Sequence, residues 1–147
     1  MLRWTFDTAD VSANAVADDS DNSGTGQIQG SYTLVPGKLN QALELNGNAY
    51  VTMSASSDSA VGLNNSTTLA LWINTESKGT VALLSKYNAA GTGAGHIFRL
   101  SGGRPQLVLG GMDSQTYPPM ATGTVKVNDG NWHHVTVVIT VGEGIQF

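Results

Sequence analysis

Cysteine is absent from the 147 residues, which excludes disulfides, thiol nucleophiles and cysteine-based zinc sites together. Charge is scarce as well. Asp, Glu, Lys and Arg make up 12% of the chain, against about 25% in an ordinary globular domain. The 11 acidic residues outnumber the 7 basic ones, giving a formal charge of -4 and a pI near 5.1. The basic residues Arg3, Lys38, Lys78, Lys86, Arg99, Arg104 and Lys126 are dispersed along the chain. Nucleic acid is therefore not an expected partner. No run approaches the roughly 18 apolar residues of a membrane span. The opening MLRWTFDTAD also lacks the apolar stretch of about 7 to 15 residues found in a signal peptide, so membrane insertion is not expected.

What the chain has in quantity is Gly, Thr, Ser and Asn, together 57 of 147 residues. These residues loosen a helix or compete for its backbone hydrogen bonds, and the long charged side chains that solvate helix faces are few. With 40% hydrophobic residues a core can still form. The length suits one domain, at about 100 to 200 residues per domain.

Short alternating runs broken by turn residues predict antiparallel strands. LRWTF (2–6) reads as a half-buried strand with Leu2, Trp4 and Phe6 on one face, and the polar stretch 10–31 reads as a long loop. ALELNGNAYVTM (42–53) predicts a hairpin turning at Asn46-Gly47, a pair suited to a type I′ turn. A connector over 54–65, with one helical turn near 59–63, leads to TTLALWIN (67–74). Apolar residues on both faces predict a central position for that strand, and TVALLSK (80–86) has the same character. HIFRL (96–100) and the strand of Leu107 and Leu109 are joined by Gly102-Gly103, a tight hairpin. GTVKV (123–127) precedes WHHVTVVITV, where His133, Val135, Val137, Ile139 and Val141 share a face. The count is about nine strands with essentially no helix, and GIQF opens a further one.

In order, LRWTFD, DDSDNSGTGQIQG, GKLNQALELNGNAYVTM, TLALWIN, ALLSKYNAAGTGAGHIFRL and VNDGNWHHVTVVI resemble the successive motifs of the laminin G-like domains of the concanavalin A-like lectin/glucanase superfamily. The resemblance implies a concanavalin A-like antiparallel β-sandwich of the jelly-roll kind. Family members continue after the Trp-His-His strand into further strands, so the resemblance also implies a single domain over 1–147 whose last strands are missing.

A retaining glucanase needs two carboxylates about 5 to 5.5 Å apart. Glu44, Glu76 and Glu143 lie in three separate segments, and the Glu-x-Asp-x-x-Glu arrangement of laminarinase-type enzymes is absent, so no enzyme activity is expected. No Gly-x-Ser-x-Gly elbow occurs either. His133 and His134, adjacent on a strand, point to opposite faces and cannot chelate one ion together. They read as packing and hydrogen-bonding residues, and Trp72 and Trp132 as core or inter-strand packing. Asp18, Asp19, Asp21 and Asn22 gather hard oxygen ligands in one loop, the chemistry of calcium or of a solvated acidic turn, and the resemblance implies calcium. For sugar binding, aromatic faces beside amides and carboxylates on exposed loops are the candidates: Tyr87 and Asn88 with His96, and Asp113, Gln115 and Tyr117.

The resemblance and the dispersed glutamates together lead to the expectation of a non-catalytic carbohydrate-binding or adhesion module. It would belong to a longer extracellular, cell-surface or virion protein, with a glycan or polysaccharide as partner. The alternative is a structural or assembly domain, for example of a phage tail, that contacts protein.

Overall fold

The computed structural model describes residues 1–20, 24–53, 66–87, 95–110, 120–140 and 142–147. Thirteen strands and no helix occur among them. The chain divides into two compact units, Met1–Gly62 and Leu63–Phe147.

In the first unit, β1 (Val11–Ser12) and β2 (Ala15–Val16) form a hairpin through Ala13 and Asn14, both at positive φ. β2 pairs with β3 (Gly26–Gln29), so the stretch expected to be one polar loop contains three strands. Val16 and Ile28 explain this, because both are buried and give the segment an apolar face. Residues 2–6, expected as a strand, are not one. The Arg3 N–H donates to the Asp18 carboxylate rather than to a ladder partner, and Phe6 turns to φ 61. Trp4 nevertheless packs inward. A β-carbon on Gly26 would sit 2.9 Å from its ring, and its indole Nε1 donates to Gly24 O at 2.8 Å.

β4 (Tyr32–Pro36) pairs with β5 (Gln41–Leu45), and β3 pairs with β6 (Tyr50–Met53). The expected 42–53 hairpin does not form. Instead 26–53 is one long hairpin whose tip lies at residues 37–40, where Gly37 N donates to Asn40 O and a β-carbon on Gly37 would meet Gln41 O at 2.6 Å. Asn46-Gly47 makes a bulge partway along it, in which Asn46 to Ala49 oppose only Gly30 and Ser31. Gly30, at φ +86, is required there because a β-carbon would lie 2.9 Å from Ala49 Cα.

The second unit is a two-layer sandwich. One sheet runs β13 (Gly144–Gln146), β12 (Trp132–Thr140), β7 (Thr67–Asn74), all antiparallel. The other runs β11 (Met120–Thr122), β10 (Arg104–Gly110), β9 (Gly95–Ser101), β8 (Thr80–Tyr87). Leu69, Ile73, Val135, Val137 and Ile139 from the first sheet meet Phe98, Leu100, Leu107 and Leu109 from the second. Each such fully buried side chain contributes roughly 1.5–3 kcal/mol relative to exposure.

β7 and β8, expected to be central, are end strands among the described residues. On β7 the second face holds the exposed Ala70 and Trp72, which rests on His134, whereas on β8 a register irregularity between Ala82 and Leu84 lets both Leu83 and Leu84 pack against the core. The Gly102-Gly103 turn is as expected, with both residues at positive φ. The strand expected over 123–127 lies at 120–122 instead, and Val127 reaches the core from outside any strand while its N–H donates to Gly103 O.

Candidate ligand-binding surface

Asp18 organises the loop that joins β2 to β3. Its Oδ1 accepts from Arg3 N and Ser20 N, each at 2.9 Å, and from Ser20 Oγ at 2.6 Å, while Oδ2 accepts from Gly24 N at 3.2 Å. The Ser20 hydroxyl, followed by these backbone donors, holds its pKa at about 2. Asp19 pairs with Arg3 at 3.2 Å. As placed, these two carboxylates do not fit an open calcium cradle, since Asp18 would have to surrender its donors. No cluster of three His, Asp or Glu suited to a metal occurs among the described residues. Asp21 and Asn22 lie outside the described residues.

Of the sugar-binding candidates, His96 is not on an exposed loop. It lies in β9 with 1% exposure, on the same face as Phe98 and Leu100, and its Nε2 has no hydrogen-bond partner among the described residues. Burial, then the nearby charge of Lys86, lowers its pKa, keeping the ring neutral. Tyr87 ends β8 opposite Gly95. Asn88, Asp113, Gln115 and Tyr117 lie outside the described residues.

What sequence reasoning missed is the solvent face of the β7–β12 pair. Trp72 is 40% exposed, so of the two readings, core or inter-strand packing, the second holds. Its ring meets His134 across the ladder, with centroids 5.0 Å apart and planes at 49°. Register places Asn74 and Trp132 one row along, and Ala70 and Thr136 one row back, on that same face. His134 Nδ1 lies 3.4 Å from Thr136 Oγ1. His133, one residue over, instead bonds Asp129 Oδ1 through Nε2 at 2.8 Å, and this bond holds Asp129 at a pKa of about 2. The signal was available: strict alternation puts Trp72 opposite in face to the buried Leu69 and Ile73.

Residues 45–147 match the family model for laminin G-like domains, described as the concanavalin A-like lectin/glucanases superfamily. The chain belongs to this laminin G-like family. No curated protein and no solved structure matches it.

The laminin G-like assignment and the all-β architecture agree, and the fold is the concanavalin A-like β-sandwich. In this laminin G-like chain the glutamates stay apart: Glu44 is in β5, Glu76 follows β7 and contacts Gly130, and Glu143 is in the β12–β13 turn. No strand among the described residues carries two carboxylates. The laminin G-like match thus joins a sandwich scaffold to an exposed aromatic pair flanked by amide and hydroxyl groups.

Proposed function

We propose that the chain is a non-catalytic carbohydrate-binding or adhesion module of a larger exported or surface protein. The carrying observation is the Trp72–His134 pair on the open face of β7–β12. An indole with 40% of its surface in water offers a flat apolar platform to the C–H face of a pyranose ring, and Asn74 and Thr136 supply hydrogen bonds to its hydroxyls. The separation of Glu44, Glu76 and Glu143 supports binding without cleavage. Titration against a panel of neutral oligosaccharides tests this reading. Trp72→Ala should weaken binding about tenfold or more, equivalent to ~1.4 kcal/mol, with the fold intact. An absence of binding across the panel, or binding indifferent to Trp72→Ala, would overturn it.

A further inference from the structure

The four-stranded sheet carries a second arrangement, on the face turned away from the core. Ala82, Arg99, Gln106 and Thr122 occupy one register row across β8, β9, β10 and β11. Arg99 Nε donates to Gln106 Oε1 at 2.7 Å, and Gln106 Nε2 donates to Thr122 Oγ1 at 2.9 Å. Gln106 is only 6% exposed, so its amide is fixed between its two neighbours and in turn fixes the guanidinium. With Nε occupied, the two terminal amino groups of Arg99 remain as a planar fork. No carboxylate pairs with it among the described residues.

The strands of this sheet carry no acidic residue. Arg104 alternates onto the same face as Gln106 and Arg99, while Lys86 pairs with the neutral, buried His96 on the core side. Residues 77–128 hold five of the seven cationic residues and, in Asp113, one of the eleven acidic ones. In a chain of net charge -4, the strand residues of this face thus carry two arginines and no carboxylate. The adjoining register row is Ser85, Ile97, Val108 and Met120, with Met120 52% exposed, an apolar strip beside the fork.

We propose that this face is a second binding site, which takes the carboxylate of a uronic acid-containing polysaccharide on Arg99. It rests on the reading of the chain as a saccharide-binding module and names a class of saccharide for it. A pre-oriented guanidinium fork matches a planar carboxylate in two parallel hydrogen bonds. The Ile97, Val108 and Met120 strip receives the C–H face of the sugar, and the Thr122 hydroxyl lies within the same row.

The test uses the full 147-residue chain in calorimetric titrations with oligogalacturonate, its methyl ester and polyglutamate. The acid form should bind, and methyl esterification, which removes the charge and caps one carboxyl oxygen, should weaken binding about tenfold or more. Arg99→Gln should reduce the acid form to the level of the ester. Should Arg99→Gln fail to fold, the ester comparison still decides. Equal binding of ester and acid overturns the proposal, as does polyglutamate binding as well as the saccharide, which would make the face a site for acidic peptides. If neutral oligosaccharides bind and galacturonate does not, this proposal falls and the broader reading stands. If no saccharide binds at all, both fall.

Discussion

Gly103 lies directly against Asn128: a β-carbon on Gly103 would sit 2.0 Å from Asn128 Oδ1. The Asn128 amide cannot retreat freely, because its Nδ2 donates to Ser77 O at 2.9 Å and the Val127 N–H next to it donates to Gly103 O at 2.9 Å. Gly102, its neighbour in the turn, has open space at the same position. Both residues hold positive φ. Gly102→Ala should therefore cost about 1–2 kcal/mol, the left-handed penalty alone. Gly103→Ala adds a collision and should cost roughly 3 kcal/mol or more. Urea unfolding of the two variants measures the difference, and equal losses would contradict the packing described.

Phe98 and Trp72 should separate in the same way. Phe98 is fully buried between the sheets, and Phe98→Ala should cost about 3–5 kcal/mol. Trp72 rests on the outer face against His134, and its truncation should cost about 1–2 kcal/mol. Thermal or urea melts at neutral pH check the order.

His96 makes stability depend on pH. Its folded-state pKa lies below the ordinary histidine value of 6.5, so the unfolded chain binds more protons at mildly acidic pH. Stability is then complete above about 6.5 and declines as pH falls below it. His96→Leu removes both the titration and the unpartnered Nε2. Melting midpoints from pH 7.5 to 5 should fall less steeply for this variant than for the parent chain, and parallel curves would show that His96 does not titrate in this way.

Asp18 acts in the same direction at lower pH. Its pKa is depressed from 3.8 to about 2, so its contribution is full above about 3.8 and fades as pH falls towards 2. Asp18→Ala should lower the melting midpoint at pH 7, and the gap from the parent should close near pH 2. The gap should be the same with and without millimolar calcium. A calcium-dependent gap would show that the carboxylate leaves its four donors to bind the ion.

Legibility in the sequence followed how local the determining interaction was. The Gly102-Gly103 turn and the β12 row of Val135, Val137 and Ile139 were readable because two-residue turns and period-two alternation are local. Asn46-Gly47 has the same local chemistry, yet its flanking strands pair elsewhere: β5 finds β4 and β6 finds β3. Nothing local distinguishes a bulge from a hairpin tip. The alternation of Leu2, Trp4 and Phe6 likewise promised a strand, and the longer-range bond from Arg3 to Asp18 redirected it. At the candidate site, Trp72 reads from sequence as core or inter-strand packing, and its contact with His134 across the ladder is of the second kind. Two apolar faces on β7 suggested a buried strand, whereas the pairing of indole with imidazole covers one face from within the sheet. His96 was misplaced by the glycine-rich run before it, although its alternation with Phe98 and Leu100 marks it as an inward residue.

The bulge at Asn46 to Ala49 has an arithmetic side. Four residues oppose two, and the excess is even, so Val51 and Met53 alternate with Tyr50 and Thr52 in the same phase as an uninterrupted ladder would give them. Deleting Gly47 and Asn48 together preserves that phase and leaves Val51 and Met53 on their present side. Deleting Gly47 alone reverses it, turning Val51 and Met53 to water and the Tyr50 ring inward. The length of this arm is quantised in pairs of residues.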